Sequence, residues 1–364
     1  MKFIDEYRNR EMVKRLASAI RYEAKGHYRF MEVCGSHTHA VRRHGLMSLL
    51  PAGIRLLSGP GCPVCVSDQS FIDNIIYLAE KKNITITIFG DLERVPGSER
   101  SLAECREAGT DIRIVYSPLE ALDIASKNPK REVVFPAIGF ETTAPATAIT
   151  LQNALKADIR NFSVLSAHKI MPPAMHAVIE DGIQIHGYLC PGHVSSITGS
   201  KIYTVFPEKY HVATVVAGFE PLDILQSILM LIRQVNHRNF RTEIQYKRAV
   251  SIDGNKIAQD VINDVFEKHD DIWRGFGVLS ESGLKPRAKY AGWNAEQRFD
   301  FPENTVIPNP VCICGEILKG RKEPENCELF GTSCNPQHPV GACMVSPEGC
   351  CNAHYKYQMH ELQD

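Results

Sequence analysis

The chain has no apolar run of the ~18 residues that would span a bilayer, no surplus of positive charge, and only two tryptophans in 364 residues. The missing run argues against a membrane protein built on helices. The balance of 41 basic against 42 acidic residues, a formal charge of −1, leaves no electrostatic footprint for nucleic acid or an anionic membrane surface. Met1 to Lys14 is charged throughout and lacks the apolar core of a secretory signal. The expected compartment is therefore the cytoplasm, with neither membrane nor nucleic acid as a partner. No internal repeat or low-complexity tract stands out. An apolar content of 44% is ordinary for a globular chain, and the length suits two or three domains.

What the chain does have is cysteine. Twelve are many for a protein of a reducing compartment, where clustered thiols more often bind metal or do redox chemistry than form structural disulfides. Cys34, Cys62 and Cys65 come early, Cys105 and Cys190 stand alone, and seven crowd between Cys312 and Cys351.

The apolar pattern predicts a helix over residues 1–25. Extended runs then alternate with helical ones to about residue 236. Strands are expected at 29–33, 54–57, 84–89, 112–116, 132–137, 162–165, 185–189 and 212–217, the clearest being the β-branched Ile84–Phe89. Such alternation predicts parallel sheets of the doubly wound kind. The strands are too many for one sheet, so two α/β domains are expected, with the crossing near 117–130 at Ser117-Pro118 or Asn128-Pro129. After the long helix at 222–236 the alternation stops, apart from a helix at 255–268. Residues 300–364 are rich in Pro, Gly and Cys, and a bound cluster would supply the cross-links such a tail needs to fold.

Seven chemically unusual segments follow predicted strands. They begin at Cys34, Gly59, Gly90, Gly139, Ser166, Cys190 and Gly218. Ligands in open α/β sheets bind outside the carboxyl ends of the strands, so these segments are expected to share a cleft. Cys62-Pro-Val-Cys65 at a helix start suits a redox dithiol or half of a metal site. Cys34-Gly-Ser-His-Thr-His39 mixes a soft thiolate with imidazoles, a set that suits iron, zinc or copper. His37 and His39 lie two apart, so on a helix they point to different sides. His168, His186 and His193 are weaker candidates. The late cysteines fit an iron–sulfur cluster, a zinc site, or disulfides and free thiols, and spacing alone does not select four of seven.

Taken together, Cys34-Gly-Ser-His-Thr-His39, Gly59-Pro-Gly-Cys-Pro-Val-Cys65, Gly139-Phe-Glu-Thr-Thr-Ala-Pro145, Pro191-Gly-His-Val194, Gly218-Phe-Glu-Pro-Leu-Asp-Ile224 and Cys314-Gly-Glu-Ile-Leu through Met344-Val-Ser-Pro-Glu-Gly349 resemble the HypD family of hydrogenase maturation proteins over nearly the whole chain. The family spacing C-x12-C-x6-C-x16-C implies a 4Fe-4S cluster on Cys314, Cys327, Cys334 and Cys351, with Cys350 as a neighbour able to swap with Cys351. The resemblance implies a scaffold for the Fe(CN)2CO group of nickel-iron hydrogenases rather than a turnover enzyme. In it Cys34 holds transient iron with His37 nearby, Cys62 and Cys65 cycle as a dithiol fed by the cluster, and Glu141 orients a ligand or moves a proton. The implied partners are a small HypC-like chaperone and a HypE-like protein that delivers cyanide. Rival readings are a free-standing iron–sulfur disulfide reductase and a structural zinc protein. The expected architecture is two Rossmann-like α/β domains facing a cleft, 26–120 and 121–236. A loop-rich iron–sulfur domain, 237–364, packs with the N-terminal helix, 1–25.

Overall fold

The computed structural model describes residues 5–302 and 311–361, and its eleven described strands form two sheets. The strands are β1 (Tyr28–Glu32), β2 (Ile54–Ser58), β3 (Ile84–Ile88), β4 (Ile112–Ile114), β5 (Glu132–Gly139), β6 (Phe162–Lys169), β7 (Gly187–Pro191), β8 (Ala213–Ala217), β9 (Thr242–Ile244), β10 (Phe266–Trp273) and β11 (Gly277–Pro286). The first sheet has the order β2-β1-β7-β8-β9 and is parallel throughout. The second has the order β10-β11-β6-β5-β3-β4, parallel from β6 to β4, with the β10–β11 hairpin added antiparallel. Central strands such as β3, β7 and β8 are buried along their whole length, as expected of parallel strands covered by helices on both faces.

Two α/β sheets are as expected, but the division of the chain between them is not a cut near 117–130. The first sheet takes β1 and β2 and then β7 to β9, whereas the second takes β3 to β6 and the hairpin. The chain therefore crosses between sheets three times, after β2, β6 and β9. Local periodicity reports that a strand exists, not which strand it pairs with. Ser117-Pro118 is a helix start: the Ser117 hydroxyl accepts from Leu119 N–H at 3.2 Å and Pro118 takes the first helical position, where its missing N–H costs nothing.

Two further expectations change. Residues 237–300 are not part of the cysteine-rich tail, since β9 extends the first sheet and β10–β11 the second. Among the described residues the N-terminal helix, Arg10–Glu23, packs not on the tail but on the long helix Pro221–His237. Its apolar stripe, with Ala17 and Ile20 buried, meets Ile224, Leu225 and Ile228, and Arg233 Nη2 donates to Glu23 Oε1 at 2.7 Å. Phe3 and Ile4, which belong to the predicted helix, lie outside the described residues.

The largest core cluster joins Leu57 from the first sheet and Val64 from the short helix that follows β2, Ile86 and Ile138 from the second sheet, and Ile317 and Met344 from the tail. The tail thus closes over both sheets instead of standing apart. Among the described residues no helix is long and apolar enough to cross a membrane.

Candidate functional site

In the first sheet β1, β2, β7 and β8 all run parallel, so their carboxyl ends meet along one edge. Cys34 leaves β1 with extended backbone and starts the helix Gly35–Arg43. Gly35 N–H donates to Gly61 O at 3.0 Å. A Cβ on Gly61 would sit 2.2 Å from the Cys34 nitrogen, so only glycine lets the two loops touch. One residue on, Cys62 starts the short helix Pro63–Val66. Cys62 and Cys65 are joined by a disulfide with Cα atoms 5.2 Å apart, and both are buried. The three early cysteines therefore lie in one crevice.

β7 and β8 supply its other wall. The ring nitrogens of His193 lie 3.9 and 4.0 Å from Cys34 Sγ. Phe219 follows β8, and both His37 and His193 stack on it, at 4.8 and 5.2 Å between ring centres. His37 Nε2 bonds Gly218 O at 3.0 Å. A carbonyl can only accept, so that nitrogen carries the proton and Nδ1 presents a lone pair. Nδ1 is buried and has no hydrogen-bond partner among the described residues. An imidazole whose N–H is held by a backbone carbonyl is the usual arrangement around a metal-ligating histidine. His39 points elsewhere, to Pro347 O and the Tyr357 hydroxyl.

Burial governs the charges here. It pushes the Cys34 thiol up to about 12, with the Glu348 carboxylate adding to the effect. It pushes His37 down to about 4 and lowers His193. The resting crevice is thus a neutral thiol among neutral imidazoles. Metal capture by Cys34 has to displace a proton.

Of the other candidates, Glu141, His168 and Lys169 belong to the second sheet. His168 is a core residue: its ring nitrogens meet Thr143 and Thr147 hydroxyls, and burial holds it down to about 4. Lys169 is buried against Asp271, Nζ to Oδ2 2.6 Å. His186 accepts from Arg29 N–H at 3.0 Å. Glu141 Oε1 accepts from Met171 N–H at 3.1 Å, while Oε2 is buried without a partner among the described residues. Glu141 lines a cavity of about 820 Å³ with Lys268 and His176, and the lining includes none of Cys34, Cys62 and Cys65. The seven segments thus divide between two sheet edges, four on the first and three on the second.

Cys314, Cys327, Cys334 and Cys351 line one small cavity with Ile317, Leu329, Phe330 and Met344, and Cys312 joins them. Cys350 turns away, its Sγ 3.1 Å from Ser58 Oγ at the end of β2. Cys312 Sγ lies 3.3 Å from Cys314 Sγ. Hydrogen bonds from Cys312, Cys343 and Cys351 hold the Cys314 thiol well below its usual range. A Cβ on Gly341 would lie 2.7 Å from Cys314 Sγ, so the wall is glycine-thin there. Arg274 Nη2 is buried with no hydrogen-bond partner among the described residues, and the next residue, Gly275, lies against the Cys314 segment. Several soft sulfurs in an apolar cavity, beside an unmatched cationic N–H, suit an anionic metal–thiolate centre. The helix Ala342–Val345, which carries Cys343, packs on Pro63–Val66, so the sulfur cavity borders the dithiol.

Phe219, Arg274 and Glu348 were not singled out by the sequence as site residues. Phe219 and Glu348 lie inside motifs already singled out, and Glu348 accepts from the Ser36 hydroxyl. Arg274 sits in a stretch with no motif. A further grouping of Glu323, Glu325 and His354, with ligand atoms within 4.8 Å of one another, gave no sequence signal either.

A family model described as HypD, hydrogenase formation hypA family, matches residues 11–358. Hydrogenase maturation factor HypD2 of Bradyrhizobium diazoefficiens is 50% identical over 368 residues, covering 98% of this chain and 97% of that protein. Hydrogenase maturation factor HypD of Rhizobium leguminosarum is 47% identical, with 98% and 96% covered. Its namesake from Escherichia coli is 44% identical across the full length of both chains.

Proposed function

The chain belongs to the HypD family of hydrogenase maturation factors, and from that premise we propose that it is the scaffold on which the iron of a nickel-iron hydrogenase's Fe(CN)2CO group is assembled. Cys34 holds the iron, which is cargo, together with a thiolate of a small HypC-like partner, and a HypE-like protein delivers cyanide to it. Cys62 and Cys65 form the redox dithiol. Cys314, Cys327, Cys334 and Cys351 hold a 4Fe-4S cluster.

The single observation that carries this reading is the crevice itself. Cys34 Sγ lies against His193, and its backbone touches Gly61 beside the Cys62–Cys65 bridge. A soft thiolate suits low-valent iron. His193 is the nearest acceptor for the proton that Cys34 gives up on binding it. The unpartnered Nδ1 of His37 supplies a second lone pair whose orientation the Gly218 carbonyl fixes. Phe219 stacks on both rings and holds them in place. Opening the Cys62–Cys65 disulfide consumes two electrons and two protons, breaks one S–S bond and yields two thiols. A cluster, when bound by the four tail cysteines, supplies one-electron redox chemistry.

Iron and acid-labile sulfide analysis of protein purified without air tests the cofactor assignment. About four irons and four sulfides per chain are expected. Zinc in their place, without sulfide, would overturn the assignment. Tight one-to-one capture of a HypC-like protein is expected of a scaffold. Catalytic reduction of generic protein disulfides, without such capture, would instead mark a free-standing reductase.

A further inference from the structure

The turn between β10 and β11 is wedged between the two sulfur systems. Arg274 N–H donates to Val66 O at 2.8 Å, and its Nε donates to Ser67 O at 3.1 Å. Val66 is the last residue of the helix Pro63–Val66 and Ser67 the next, and Ser67 also bridges Trp273. On the other side, Gly275 lies against Gly315, the residue after Cys314: a Cβ on Gly275 would be 2.5 Å from the Gly315 Cα. Gly275 has a φ of +84°, so glycine is needed there both for conformation and for approach. One turn therefore grips the dithiol segment with one residue and the Cys314 segment with the next.

The guanidinium closes the link. Its Nη2 is buried without a hydrogen-bond partner among the described residues, one residue before the Gly275 that meets the Cys314 segment. A buried cationic N–H left unmatched is costly. Anionic sulfur in the adjoining cavity is the acceptor that removes the cost. A four-thiolate cluster carries net negative charge, and reduction adds one more. Nearby positive charge and N–H bonds to sulfur stabilise the reduced form and raise the potential.

We propose that Arg274 is a positioning residue that supplies the buried counter-charge of the sulfur centre while tying it to the dithiol segment. The proposal rests on the reading that the tail cysteines hold an iron–sulfur cluster. Its consequence is a cluster that is easier to reduce than four thiolates in an apolar cavity would make it.

The test is an anaerobic reductive titration of the full chain, followed by visible bleaching and by the electron paramagnetic signal of the reduced cluster. Wild type, Arg274→Gln and Arg274→Lys are compared after iron and sulfide have been counted in each. Arg274→Gln keeps a polar side chain but removes the charge. It is expected to make reduction about tenfold less favourable, a fall of about 59 mV for one electron. Arg274→Lys, which restores the charge without the fork, is expected to recover most of that shift. A purely structural role would not follow charge in this way. If Arg274→Gln does not retain its cluster, Arg274→His replaces it, and its midpoint is expected to rise as pH falls and the imidazole becomes charged. A fully loaded Arg274→Gln protein with the wild-type potential, or a His variant whose midpoint follows pH no more than wild type, overturns the role of Arg274 alone. Wild-type protein without iron and sulfide overturns the cluster reading beneath it.

Discussion

Glu141 is buried with one oxygen satisfied by Met171 N–H and the other by none of the described residues. Burial raises its pKa from 4.5 to about 7. The folded state thus holds a proton that the unfolded chain releases between those values. Stability falls as pH rises through that window, and the loss is complete above about pH 7. The shift corresponds to on the order of 3 kcal/mol. Denaturant melts of Glu141→Gln should show a flatter profile from pH 5 to pH 8, with the variant gaining on wild type at the alkaline end. The neighbouring cysteines make a second comparison at this scale. Adjacent helical residues point about 100° apart, and here Cys351 faces the sulfur cavity while Cys350 faces Ser58. Cys350→Ser is expected to keep the brown absorbance of anaerobic protein, and Cys351→Ser to lose it. The reverse result would exchange their roles.

Asp223 and Arg248 show how residues can serve the site without touching it. Asp223, fully buried at the start of the helix Pro221–His237, accepts from Arg248 through both oxygens and from Gln245. Arg248 in turn stacks on Tyr7 and Tyr246. This anchor sets where Phe219 stands, and Phe219 sets His37 and His193. Arg248→Ala leaves a buried carboxylate without its cation, so a loss of about 3–5 kcal/mol is expected, read by chemical denaturation. A loss under ~1 kcal/mol would mean the pair is not an anchor. Most of the elements themselves were legible. The β-branched run Ile84–Phe89 and the stripe at 222–236 announced a strand and a helix within a residue or two of their ends. The hairpin β10–β11 was not: His269, Asp270 and Asp271 interrupt its apolar pattern, because its exposed face is charged and it lies at the edge of its sheet.

At the scale of the whole molecule, the early cysteines could be found from motif and strand position, because β1 and β2 are neighbours in sequence and in space. The arrival of His193 and Phe219 beside Cys34 was less legible. It depends on β7 pairing with β1, a contact set by the order of strands and invisible to local pattern. Interleaving the two sheets has a mechanical consequence: three crossings and a shared core tie the crevice, the Glu141 cavity and the tail together. Glu348 of the tail meets Ser36, and the Cys343 helix packs on the dithiol helix, so the tail forms part of the crevice wall.

In the proposed function Cys34 is the seat of the cargo iron. The direct measurement is iron bound per complex when the chain and a HypC-like partner are co-purified without air, compared between wild type and Cys34→Ala. The variant should keep the cluster's iron and its absorbance while losing the additional iron. If the Cys34→Ala complex retains all of it, the crevice is not where the metal is held.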